Sequence, residues 1–216
     1  MTFAVQCMKL DYLLLKPYLK SVLLVLLVPL IFPFFTGTLF EGLSFAATVM
    51  AMTTGYAFSV VEKNGFDRFY GFLPVKKSAL VVGRYLIIYV MGFSALLISS
   101  CVQSAILHLQ HAAPSPAEMM GTILVCLLLF CLYAGVQIPG YYRYGSIKGK
   151  MFMFVPTVGF LLFYYVMGSF VGETNRMDLL IMQNSALAYL CGIGLVALVL
   201  VVSAAASIKI VQKNRA

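Results

Sequence analysis

The sequence predicts an all-α integral membrane protein, a single domain of six transmembrane helices with both termini in the cytoplasm. Three observations lead there. Of the 216 residues 62% are hydrophobic and 10% are charged, whereas soluble domains carry about one-quarter charged residues. The apolar residues fall in long uninterrupted runs rather than in period-2 or period-3.6 stripes, so they face lipid. The basic residues, finally, crowd into alternate loops between those runs.

Six runs reach the about 20 apolar residues that cross ~30 Å of hydrocarbon. They cover roughly 21–39, 42–61, 80–107, 119–139, 151–171 and 185–208. The first is interrupted by Pro29 and Pro33, which remove backbone donors and predict a bent or broken helix. With the N-terminus inside, the cytoplasmic side holds fourteen of the fifteen Lys and Arg, and the outside holds only Arg176. Lys9, Lys16 and Lys20 share one side of a helical wheel ahead of the first run, which predicts an interfacial helix over 5–20. Leu13 and Asp11 break that pattern, and Pro17 bends or ends the helix.

Composition also excludes function classes. The net charge of +8 comes from scattered loop residues with no aromatic-interleaved basic patch, so no nucleic-acid partner is expected. The five cysteines lack CxxC spacing and read as small packing residues. His108 and His111 lie three apart without the further ligands of a metal site. No run contains Asp or Glu, so an ion-coupled carrier lacks its mid-membrane group, and Arg84 stands near enough to the cytoplasmic end to snorkel. Gly145 to Lys150 is rich in Gly and Lys but lacks Walker A spacing, so no nucleotide or other cofactor is expected on this chain. No catalytic cluster is found either.

The longest polar interruption runs from Glu62 to Ser78. Asn64-Gly65 makes a turn there, and Phe66, Phe69, Tyr70 and Leu73 then recur at i, i+3, i+4 and i+7 until Pro74. Asp67 and Arg68 lie off that face. The spacing predicts a short amphipathic helix with an aromatic side, suited equally to a partner's groove or to packing on the membrane surface or its own bundle.

The stretch from Glu62 through Leu73-Pro74-Val75 to Gly83-Arg84-Tyr85 resembles the signature of small ABC-2-type permeases, the membrane subunits of ABC transporters. A second match lies in the next cytoplasmic loop, from Pro139 to Tyr144-Gly145 and Lys148-Gly149-Lys150. The resemblance implies a type V exporter-like fold and a homodimeric permease in the bacterial cytoplasmic membrane. Two ATP-binding subunits, carrying ATP and Mg, would dock on a coupling helix comprising Lys63, Phe66, Asp67, Arg68, Phe69, Tyr70, Leu73 and Pro74. The second loop, with Tyr141, Arg143, Tyr144, Lys148 and Lys150, would assist.

Among such permeases the chain looks like those exporting hydrophobic or amphipathic peptides, including phenol-soluble-modulin-type toxins. Met50, Met52, Phe160, Phe163 and Tyr164 are candidates for a substrate path. The alternatives are a permease for drugs or lipid-like molecules and a non-transporting scaffold or sensor that recruits a partner through the same loop.

Overall fold

A computed structural model of the chain describes residues 3–66, 77–170 and 185–213. All its elements are helices. In order they are α1 (Phe3–Leu15), α2 (Leu19–Val25), α3 (Phe32–Thr36), α4 (Leu39–Lys63), α5 (Lys77–Leu109), α6 (Pro116–Lys148), α7 (Val155–Phe170) and α8 (Ser185–Lys213). Short 3-10 turns at Lys16–Tyr18, Val28–Ile31 and Gly149–Phe154 join neighbours.

The prolines break the helix where the sequence predicts, Pro17 ahead of the first run and Pro29 and Pro33 within it. Pro17, Pro29 and Pro33 each stand in the first turn of a new helical segment, where a missing N–H costs nothing and the fixed φ favours a helical start. Gly37, in the left-handed region at φ 65°, ends α3. Ser115 caps α6, its Oγ accepting the Glu118 N–H at 3.2 Å.

Among the described residues, five helical stretches are long and apolar enough to cross a membrane: Val5–Thr36, Leu39–Lys63, Lys77–Leu109, Pro116–Leu162 and Leu190–Lys213. The fourth, of 47 residues, folds back on itself. Gly145 adopts φ 75° and ψ 177°, a conformation that ends a right-handed helix and that glycine reaches without strain. Beyond it the Phe152 ring lies against the Gly140 backbone and the Tyr133 ring against Gly159. Partners on either side of the break thus separate in step, so α7 runs back along α6 as the second arm of a hairpin.

The other neighbours fix the directions. Ser104 Oγ donates to Met119 Sδ across the end shared by α5 and α6, and Arg84 faces Phe58 and Tyr142 at the opposite end. Helices α4, α6 and α8 therefore run one way and α5 and α7 the other. The ends of α4, α6 and α8 and the start of α5 gather at one end of the bundle, called here the basic end after Lys63, Lys77, Lys148 and Lys213.

Helix α4 is the axis of the bundle; Leu43, Ala46, Ala47 and Ala51 along it are fully buried. Its small residues let backbones approach closely, which is how helices gain packing energy where lipid offers no hydrophobic drive. On α5, Gly92 serves the same end: a Cβ there would overlap the Phe130 ring. Phe130 is fully buried, edge-on to Tyr89 at 5.6 Å between centroids and to Phe93 at 6.1 Å. Leu86, Val90, Leu97 and Ile98 on α5, and Leu198, Val201 and Val202 on α8, point outward and are exposed, the reverse of a water-soluble pattern.

Helix α1 carries Lys9 outward and buries Cys7, Asp11 and Leu15, one face at i, i+4 and i+8. Asp11, which broke the amphipathic pattern in the sequence, thus belongs to the face that packs inward.

Candidate functional site

The residues with the most chemical character meet at the basic end. Phe58 of α4 stacks on Tyr141 at 5.0 Å and meets Tyr142 edge-on at 5.1 Å. Arg84 of α5 enters this aromatic nest with its guanidinium carbon 5.1 Å from the Phe58 centroid and 5.9 Å from that of Tyr142. Its Nε donates to Asp11 Oδ2 at 3.3 Å, the two side chains being 10% and 6% exposed. Ring faces and a carboxylate together replace the water that a buried guanidinium gives up.

Sequence reasoning expects Arg84 to snorkel outward, and this is corrected. Helix α1 covers that end of α5 and brings a carboxylate within reach, so the side chain turns inward. The available signal was a lone cation in an apolar run together with the only acidic residue of the preceding amphipathic helix.

Glu62, one turn beyond Phe58, ties α4 to the hairpin. Its Oε2 accepts the backbone N–H of Ser146 at 2.6 Å, immediately after the Gly145 break. A carboxylate at the start of a helical turn satisfies an orphan donor and complements the local dipole, so Glu62 acts as a cap supplied from another helix. Around these pairs lies a cavity of about 220 Å³, reached by Asp11, Glu62, Lys77, Arg84, Ser146 and Val211. Five helices therefore contribute to one small chamber that holds charged groups among apolar and aromatic side chains.

The residues singled out in the sequence distribute as follows. Asn64-Gly65 forms the predicted turn, with Gly65 at φ 66° and Asn64 Nδ2 donating to Val60 O at 2.8 Å. Lys63 is exposed at the end of α4, and Phe66 is half-buried after the turn. Asp67, Arg68, Phe69, Tyr70, Leu73 and Pro74 lie outside the described residues, and so does Arg176. In the second loop Tyr141 is buried, while Arg143, Tyr144, Lys148 and Lys150 are exposed, the Arg143 guanidinium lying 5.3 Å from the Tyr144 centroid.

Of the path candidates, Met50 is buried in the core. Met52 Sδ accepts from Thr157 Oγ1 at 3.6 Å, and Phe160 meets Phe45 edge-on at 5.9 Å. The side chains of Phe163 and Tyr164 lie outside the description. Among the described residues no group of three metal-ligating side chains stands together, and the five cysteines are free.

Sequence reasoning missed the polar groups inside the bundle. Tyr85 Oη lies 2.6 Å from Ser203 Oγ and 2.8 Å from Ser207 Oγ, and Ser203 donates to Gly135 O at 2.7 Å. This network staples α5, α6 and α8 beside Arg84. The i, i+4 pair of serines in an otherwise apolar last helix was its signal. Gln103 and Gln137 are fully buried; Gln103 Nε2 donates to Ser99 Oγ at 2.9 Å.

Glu62, Arg84 and the Tyr141 to Ser146 segment come from the two sequence stretches that resemble permease signatures, and the fold brings these distant stretches into one knot. The model of the ABC-2 family transporter protein matches residues 7–212 of the chain. No curated protein and no solved structure matches it. With nearly the whole length matched and the helices apolar enough for a multi-pass membrane protein, the chain belongs to the ABC-2 family of transporter proteins, the membrane permeases of ABC transporters.

Proposed function

We propose that this permease crosses the bacterial cytoplasmic membrane six times, with both ends and the basic end of the bundle in the cytoplasm, and couples ATP hydrolysis on a partner subunit to export of a hydrophobic or amphipathic substrate, most readily a peptide. The alternating helix directions and the α6–α7 hairpin support six crossings. The clustering of Lys and Arg at one end supports the orientation.

The observation that carries the coupling reading is the Glu62–Ser146 bond. Segment 63–74 follows α4 in the chain, and the second basic segment, 141–150, forms the last turns of α6 and the start of the 3-10 turn after it. A push on the first therefore reaches the second through one short charge-assisted hydrogen bond, with Arg84–Asp11 holding the neighbouring helices in register. Two permease chains and two ATP-binding subunits would form the working unit, ATP and Mg residing on the latter. Closure of those subunits would move the loops as a rigid body and shift the permeases between two states.

The test is co-expression with the ATP-binding subunit. Phe69→Ala with Tyr70→Ala is expected to abolish association of that subunit while the permease still inserts. Glu62→Ala is expected to keep the complex but lower substrate-stimulated ATP turnover about tenfold. Full coupled activity in both variants would refute the coupling reading. A partner that binds through the loop but hydrolyses no ATP in response to substrate would favour the scaffold alternative.

A further inference from the structure

A groove on the flank of α4, adjoining the chamber around Arg84 and sharing Glu62, Tyr141 and Ser146 with it, has the form of a lipid site. It has a volume of about 470 Å³ between α4, the 3-10 turn at Gly149–Phe154 and Tyr18 ahead of α2. Its mouth carries Lys63 and Lys150, both exposed, and among the described residues neither makes an ion pair. Its shaft is formed by Ser59, Tyr56, Met153 and Met52. Phe154, 62% exposed, places an aromatic ring four residues from Lys150, as at a membrane interface, and Tyr56, 42% exposed, lines the shaft two turns below Lys63. Glu62 also borders the groove, but its carboxylate is directed at the Ser146 N–H.

From Lys63 to Met52 the shaft follows about 16 Å of helix at ~1.5 Å per residue, half of the ~30 Å hydrocarbon thickness. One leaflet has that depth. A cationic mouth, an exposed aromatic ring near it and a one-leaflet apolar shaft together select an anionic head carrying an acyl chain.

We propose that this groove binds an anionic phospholipid of the adjacent leaflet, its headgroup between Lys63 and Lys150 and one chain along Met52 and Met153. The leaflet is the inner one on the proposed orientation; the groove and its ligand class do not depend on that orientation or on ATP coupling. The lipid wedges between α4 and the hairpin that Glu62 joins, so its presence sets how far these two elements separate.

The experiment loads the full chain, extracted in detergent, with phosphatidylglycerol or phosphatidylcholine and reads retained lipid by native mass spectrometry. About fivefold preference per lysine is expected for phosphatidylglycerol. Lys63→Gln with Lys150→Gln should bring the two lipids to parity, and Lys209→Gln with Lys213→Gln, on exposed positions of α8, should change nothing. Ser59→Phe, which keeps both charges but fills the shaft, should expel the lipid.

Equal retention of both lipids by the unaltered chain would overturn the proposal. So would equal damage from the α8 pair, which would mean general surface attraction. Competition by inorganic phosphate at equal concentration would assign the mouth to a free anion. Displacement of phosphatidylglycerol by an acidic amphipathic peptide at lower concentration would give the groove to a peptide. Since labelling of Gly65 tests orientation separately, failure here and failure of the transport reading remain distinguishable.

Discussion

Arg84 and Asp11 are the residues whose pairing asks most of the fold. Each is shielded from water by the other's helix, so removing one partner leaves a charge in a poorly hydrated place. Arg84→Gln or Asp11→Asn alone is expected to lower stability by about 3–5 kcal/mol, and the double variant by less than the sum. Thermal unfolding of the detergent-solubilised chain measures both, and strict additivity would mean that the two charges act independently. Gly92 poses a steric question instead. Because the Phe130 ring occupies the space a Cβ needs, Gly92→Ala is expected to cost about 1–3 kcal/mol through displacement of that ring. Phe130→Leu should recover part of the loss, read as the melting temperature of the pair against the single variant. Nothing in the sequence around Gly92 distinguishes it from Gly194, whose Cβ would meet no atom of the described residues within 4 Å. Only the facing side chain separates them.

Among the elements, the hairpin of α6 and α7 is where local sequence and tertiary contact act together. Gly145 permits the break through its positive φ, and Glu62, far away in sequence, supplies the cap that fixes its direction. Gly145→Val therefore places a β-branched residue in the left-handed region, a strain of about 1–3 kcal/mol. It should loosen the hairpin without unfolding α4 or α5. Cysteines introduced at Tyr144 and Phe152, whose rings stack at 5.8 Å, should cross-link readily in a background with the native cysteines removed. That cross-linking should fall severalfold with Gly145→Val, and unchanged efficiency would place the turn's specification elsewhere. The α5–α6–α8 staple is the second such element. Hydrogen bonds between membrane helices contribute about 0.6 kcal/mol on average and up to about 1.7 kcal/mol. Tyr85→Phe removes two close contacts at once and is expected to destabilise by about 1–2 kcal/mol, measured by unfolding in detergent. No change would show that Ser203 and Ser207 find equivalent partners on their own.

At the scale of the whole molecule the central expectation is topological. A cysteine replacing Gly65 should react with a membrane-impermeant reagent only after the inner face is opened, and one replacing Asn175 should react from outside. Labelling of Gly65 on intact cells would reverse the bundle and remove the partner-docking reading with it. The sequence by itself determined that this chain is a bundle of apolar helices with its positive charges to one side, because hydrocarbon thickness and charge placement act on composition and need no partner. Pro17, Pro29 and Pro33 announced their breaks for the same local reason: each lacks an N–H wherever the chain goes. Gly145 announced a loop but not the hairpin's packing. What only the tertiary structure decided are the pairings: Asp11 with Arg84, Glu62 with Ser146, and Tyr85 with Ser203 and Ser207. Each joins residues 73 or more positions apart. In a bundle where nearly every outward face is equally apolar, pattern alone does not choose which helix meets which. The few polar side chains make that choice, since each must find a partner away from water, and the partner's position exists only once the chain has folded.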